Sequence, residues 1–229
     1  IEPPSIFIGR GKNRLLGHIK NRILPQDITI NIGENENINP ERKWKKIIHN
    51  HNAEWLCSWK DNITNKIKYI WLSNSSDFKQ NWDMIKFEKA RLLQQNIDDI
   101  RAKYSKNLIS ENIKEKQLAT CLYLIDHLAL RIGNNWEEDY GVGVTWLKIK
   151  NIKMESNNKI HLNFLGKDWI PYNNTVQIDI IPYNNIKNFI ENKNINDYIF
   201  DSINSNDMNG YLKNISPKIH LTAKVFRTF

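Results

Sequence analysis

Residues 114–133 read KEKQLATCLYLIDHLALRIG. Leu118, Cys121, Leu122, Ile125, Leu128 and Ala129 recur at three- and four-residue spacings, which line up along one broad helix face. So broad an apolar face belongs to a central helix. The spacing predicts helix over about 114–132 with Gly133 as its C-terminal cap, which puts Arg131 in the last turn, where backbone carbonyls point outward. On its N-terminal side, Trp82, Ile85, Ala90, Leu93, Ile97, Ile100 and Tyr104 predict another amphipathic helix over 82–104. On its C-terminal side the period changes to two. VTWLKIKNI (144–152), KIHLNFL (159–165) and TVQIDI (175–180) predict three antiparallel strands, with turns at ESNN (155–158) and GKDWIPYNN (166–174).

Short helices are expected over about 183–192, 197–204 and 207–215, and a last one from Ala223 with Thr222 as its N-cap. Before the helices, DITINI (27–32), EWLCSWK (54–60) and KIKYIWL (66–72) predict strands, the last two joined through NITN (62–65). The expected fold class is α+β. A β-rich part over 1–75 meets a mostly helical part over 76–229 at LSNSS (72–76).

The chain has 229 residues, 40% hydrophobic and 25% charged, ordinary values for a globular protein. No apolar run approaches the roughly 20 residues of a membrane span, and no signal peptide is visible. Ile1 is not a natural start, so the chain reads as a fragment. The formal charge of +8 and pI near 9.3 favour a polyanionic partner. Part of that charge sits in GRGKNRLLGHIKNR (9–22), which contains no acid. Cys57 and Cys121 lie in apolar surroundings and read as buried thiols of a reducing compartment. No metal pattern is present, because His49 and His51 lack a third ligand nearby. The glycine cues GRG and GVGV fit neither a phosphate-binding loop nor a dinucleotide fingerprint.

Three stretches stand out: LALRIGN (128–134), FLGKDW (164–169) and TAKVFRT (222–228). Each has a plain reading: an arginine on helix carbonyls, a solvated hairpin tip, an exposed terminal arginine. In this order they resemble the eukaryotic type IB DNA topoisomerases. IEPPSIFIGRGK, WLCSWKDNI, KIKYIWL, LYLIDHLALRIGN, FLGKD, IENK, IFDSIN and LTAKVFRT all look like that family's core in the family's order, over essentially all 229 residues.

The resemblance implies an isomerase that relaxes supercoiled DNA during replication and transcription in the nucleus. In the family a tyrosine attacks one phosphodiester, becomes linked to the 3′ phosphate, and is displaced again when the 5′ hydroxyl reseals the strand. Neither ATP nor a metal is implied, and no cofactor. With no metal ion, protein cations must stabilise the charge that gathers on the phosphorane oxygens. Arginine suits this, being always protonated and forked. By resemblance Arg131 and Arg227 are that pair and Lys167, on a hairpin tip, is the general acid. Arg10, Trp55, Lys68, Tyr69, Lys86, Ile132, Gly133, Asn134, Asn209, Thr222, Ala223 and Lys224 fall where the family touches double-stranded DNA.

The implied architecture is a monomeric clamp: 1–75 part of a DNA-binding cap lobe, 76–229 a catalytic lobe similar to tyrosine recombinases and truncated at its C-terminal end. This sequence departs from the family at Ile8, where a second arginine is usual, at Gly141, where a phosphate-contacting threonine is expected, and at His127, where lysine is usual. The family's catalytic histidine and tyrosine lie downstream of KVFRT, and Tyr172, Tyr198 and Tyr211 do not sit in that context. The fragment alone is therefore expected to be inactive. Rival readings are a non-catalytic DNA-binding relative, one chain of a split enzyme with tyrosine supplied in trans, and a tyrosine recombinase, which would not share the IEPP…GRG lobe.

Overall fold

The computed structural model describes residues 2–9, 11–133 and 141–229. The chain is α+β and forms two compact units, Ile1–Ile85 and Lys86–Phe229.

In the first unit β1 (Ser5–Ile6) pairs antiparallel with β2 (Ile19–Lys20). A four-stranded sheet follows in the order β4 (Lys46–Ile48), β3 (Ile28–Asn31), β5 (Trp55–Lys60), β6 (Ile67–Trp71). The three predicted strands form as expected, and β5–β6 is a hairpin. Strands β1, β2 and β4 were not foreseen: at two or three residues each they are too short for a period to show. Asn62 at the hairpin tip ties the two sheets together, accepting from Asn21 N (3.0 Å) and donating to Ile19 O (3.1 Å). The small core holds Ile23, Ile28 and Trp59, with Trp44 and Cys57 packed against them.

The second unit has one large core centred on α2 (Ile113–Leu128). Asn112 caps its N-terminus, the Oδ1 accepting from Lys114 N at 2.9 Å. Helix α1 (Asp77–Asn107) runs longer than its predicted 82–104. Leu93, Ile97, Ile100 and Tyr104 of its apolar row are buried, whereas Trp82 and Ile85 are exposed. The two helices are locked by Asp126, which is almost fully buried. It accepts from Arg101 Nε and Nη2 (2.8 and 2.9 Å) and from Tyr104 Oη (2.7 Å).

A three-stranded antiparallel sheet, β7 (Ile152–Glu155), β8 (Lys159–Leu165) and β9 (Pro171–Gln177), packs beside α2. The predicted first strand over 144–152 is instead two 3-10 turns, Val144–Trp146 and Ile149–Asn151. Strand β9 starts at Pro171, inside the predicted turn, because seven register pairs to β8 extend it through Tyr172 and Asn174. Helices α3 (Ile180–Ile190), α4 (Ser205–Ile215) and α5 (Ala223–Thr228) complete the unit. The helix expected over 197–204 is absent: Tyr198 bridges Lys148, and Ile199 N donates to Leu147 O at 2.9 Å, so this stretch pairs as extended chain.

Candidate active site and DNA interface

Arg131 is not in the last turn of α2. The helix ends at Leu128, and Ala129 takes a left-handed conformation (φ 50°, ψ 30°) that redirects the chain two residues before Arg131. Leu130 is buried, Arg131 exposed and Ile132 half-buried, so the chain alternates sides like a strand and turns Arg131 outward. Gly133 (φ 86°) is the next left-handed residue but does not cap the helix.

Arg227 comes from α5, the element predicted most closely. Thr222 N-caps it, the Oγ1 accepting from Val225 N at 3.4 Å, and Asn209 Oδ1 in α4 accepts from Ala223 N at 3.0 Å. Buried Ala223 and Phe226 seat the helix on the core, leaving Arg227 only partly covered. Partial burial and then the neighbouring charge of Arg131 hold the Arg227 guanidinium below its ordinary pKa. The two arginines, 96 positions apart in sequence, thus come near enough in the fold for their charges to repel.

Lys167 is exposed at the β8–β9 tip. The tip is closed by Trp169 N to Gly166 O (3.0 Å) and Gly166 N to Ile170 O (2.8 Å), with Asp168 and Trp169 at φ 63° and 61°. Two successive left-handed residues with side chains cost of order 1–2 kcal/mol each. Such strain persists only where surrounding contacts enforce it. The segment Gly141–Thr145 lies against the base of this tip and also reaches Arg131. Val142 N donates to Leu165 O (2.7 Å), Val144 N to Arg131 O (2.8 Å), and Thr145 N and Oγ1 to Ile132 O (3.1 and 2.8 Å). A strand over 144–152 does not foresee this brace; its one signal in the sequence is GVGV, whose glycines fit no phosphate-binding motif.

Among the other expected DNA contacts, Arg10 and Asn134 lie outside the described residues. Ile132 packs against the core, and Gly133 lies against Gly143. Ala223 is buried with its amide donated to Asn209, so Asn209 and Ala223 serve each other. Lys224 is exposed, and Thr222 is half-buried at its cap. Lys86 is exposed, 5.9 Å over the Phe87 ring.

In the first unit, Trp55, Tyr69 and Trp71 form a ladder with ring centroids 5.5 and 5.3 Å apart. Register pairs Ser58 with Tyr69 and Trp59 with Lys68, so neighbours Lys68 and Tyr69 point to opposite faces of the edge strand β6. Lys68 and Lys20 also help hold buried Asp61 charged. Burial opposes that charge, but two hydrogen bonds from Thr64 and the two lysines outweigh it and lower the Asp61 pKa.

The tyrosines have structural duties. Tyr211 Oη accepts from Asn107 Nδ2 at 2.9 Å, and burial pushes its pKa up to about 12. Tyr198 meets Trp146 edge-on, and Tyr172 stacks on Phe164. His127 stacks on Tyr123 at 3.9 Å. Among the described residues no cluster of His, Cys, Asp or Glu could hold a metal, and no helix is long and apolar enough to cross a membrane.

Two family models cover almost the whole chain. One, described as eukaryotic DNA topoisomerase I, DNA binding fragment, matches residues 1–72, and the other, the catalytic core of the same enzyme, matches 75–229. The chain belongs to the eukaryotic DNA topoisomerase I family. Across its full length it is 42% identical to DNA topoisomerase 1 alpha of Arabidopsis thaliana, 40% to DNA topoisomerase 1 of Schizosaccharomyces pombe and 39% to that of Homo sapiens. It spans only 26%, 29% and 31% of those topoisomerases. A mitochondrial DNA topoisomerase I of Rattus norvegicus is 38% identical. Within the topoisomerase I family frame, the two arginines and Lys167 all fall in the part matched by the catalytic core, and Trp55, Lys68 and Tyr69 in the part matched by the DNA binding fragment.

Proposed function

We propose that this chain is the DNA-gripping core of a nuclear type IB topoisomerase, with 1–75 in its cap lobe and 76–229 in its catalytic lobe. The observation that carries the reading is that the fold brings Arg227, on α5, near enough to Arg131 to feel its charge. Like charges placed side by side are stabilised by an anion between them, and a phosphodiester is the anion a basic chain of this family meets.

In the proposed cleavage step a tyrosine oxygen supplied from outside these 229 residues attacks the scissile phosphorus. The new bond is O–P, the bond that breaks is P–O5′, and the phosphate stays on the 3′ side linked to tyrosine. The tyrosine proton leaves to solvent or a base, and Lys167 gives a proton to the departing 5′ oxygen. Arg131 and Arg227 hold the two non-bridging oxygens as their charge grows. Resealing is the reverse, with the 5′ hydroxyl as nucleophile. Neither a metal nor ATP takes part in this scheme.

The test is relaxation of supercoiled plasmid by the complete enzyme without magnesium or ATP. Arg131→Ala or Arg227→Ala should each lower the cleavage rate by about 10²–10³, and Lys167→Ala by about 10²–10⁴, with DNA affinity changed far less. Wild-type cleavage by all three variants would refute the assignment, and equal losses in binding and cleavage would leave a DNA-binding protein without this chemistry.

A further inference from the structure

The segment Gly141–Thr145 joins the strand-like stretch that carries Arg131 to the turn that carries Lys167, and it does so with backbone. Its hydrogen bonds to Leu165 O, Arg131 O and Ile132 O are 2.7 to 3.1 Å long. Its glycines bring main chains closer than any side chain permits. A Cβ on Gly141 would fall onto the Gly166 carbonyl and 2.8 Å from Lys167 N, and Gly141 itself has φ 85°. A Cβ on Gly143 would collide with Gly133 N and with Ile132 C, 2.6 Å away. Gly143 is extended (φ −109°, ψ 174°), a conformation open to any residue, so its glycine is there for space alone. A threonine at 141 fits neither this conformation nor this spacing.

We propose that Gly141, Gly143 and Thr145 are positioning residues that set Lys167 and Arg131 at a fixed separation. Gly141 acts on the Lys167 turn, while Gly143 and Thr145 act on the Arg131 stretch. The proposal rests on the reading of Arg131 and Lys167 as catalytic. Exposed, long side chains on flexible stems gain their precision from the backbone beneath them, and a displacement of about 1 Å can cost about 10² in rate.

The two arms are separable by leaving group. A 5′ oxygen needs a proton from Lys167, whereas a bridging 5′ sulfur departs as thiolate, thiols having a pKa near 8.5. Single-turnover cleavage by the complete enzyme would be measured on DNA carrying either atom at the scissile phosphate. Burst amplitude counts competent molecules, so rate constants are compared per folded enzyme. Gly141→Ala should lose about 10²-fold on the oxygen substrate and return to within a few-fold of wild type on sulfur. Gly143→Ala should lose as much on both substrates. Thr145→Val, which keeps the shape and removes one hydrogen bond, should lose about 10-fold on both.

Arg131→Ala and Lys167→Ala run alongside. If neither slows cleavage, the underlying reading fails. If both slow it while the brace variants cleave like wild type, or while sulfur rescues all or none of them, the positioning proposal is overturned. Glycine variants that fail to fold, together with a wild-type rate for Thr145→Val, would overturn it as well.

Discussion

At the scale of single residues, the best-defined electrostatic feature is Asp126. Burial alone would raise its pKa, but Arg101 and Tyr104 outweigh burial and hold the carboxyl below its usual value. The sign follows directly. A depressed folded-state pKa adds stability above the unfolded value near 4, and that stability disappears as pH falls through the folded value. Acid unfolding monitored by circular dichroism should therefore steepen below about pH 4, and Asp126→Asn should flatten that limb. At neutral pH Asp126→Asn is expected to cost about 1.5–3 kcal/mol, the range for hydrogen bonds to charged partners, read from urea melts. Unchanged stability at both pH values would show that α1 and α2 are held by apolar packing alone.

At the scale of elements, the last helix shows how the placement of Arg227 depends on a remote side chain. With six residues α5 is too short to be stable alone, and its first turn is satisfied by Thr222 and by Asn209 from α4. Asn209→Ala or Thr222→Ala should cost about 1 kcal/mol each. Amide exchange at Ala223 and Val225 should speed up accordingly, ahead of exchange in α2. Equal protection in the variants would place the hold on α5 in Phe226 and Ala223 burial instead.

The same element was legible in the sequence because a Thr cap precedes a short amphipathic run. So were α2 and β8, where strong periods of 3.6 and 2 coincide with the real core. The end of α2 was not legible. Leu-Ala-Leu-Arg has every reason to continue a helix, and only tertiary context turns Ala129 left-handed. The brace was hidden for a related cause: VTWLKI alternates like a strand, but the backbone partners it finds are Arg131 and Ile132 rather than β8. Resemblance supplied Arg131, Lys167 and Arg227 as one set; spacing alone offered three unconnected cations.

At the scale of the whole molecule, charge sets the expected behaviour. The chain carries a net charge of +8, and a protein that neutralises phosphates with lysines and arginines releases counterions when it binds. Its affinity for duplex DNA should fall linearly on a log–log plot against salt, by about 10³-fold or more between 50 and 200 mM if some six to ten phosphates are contacted. Filter binding with two unrelated duplex sequences checks this. A flat salt response would contradict the phosphate-contact reading, and a strong preference for one duplex would point to base readout in its place.

The chain also places one thiol in each packing unit: Cys57 half-buried in β5 and Cys121 fully enclosed in α2. Burial raises the pKa of both, so alkylation requires local opening as well as ionisation. The pair is thus a built-in stopwatch with two hands. Under a mass-tagged maleimide in mild denaturant, Cys57 should label early and Cys121 only when the helical core comes apart, so peptide mass spectrometry would time the melting of the two halves separately in one tube.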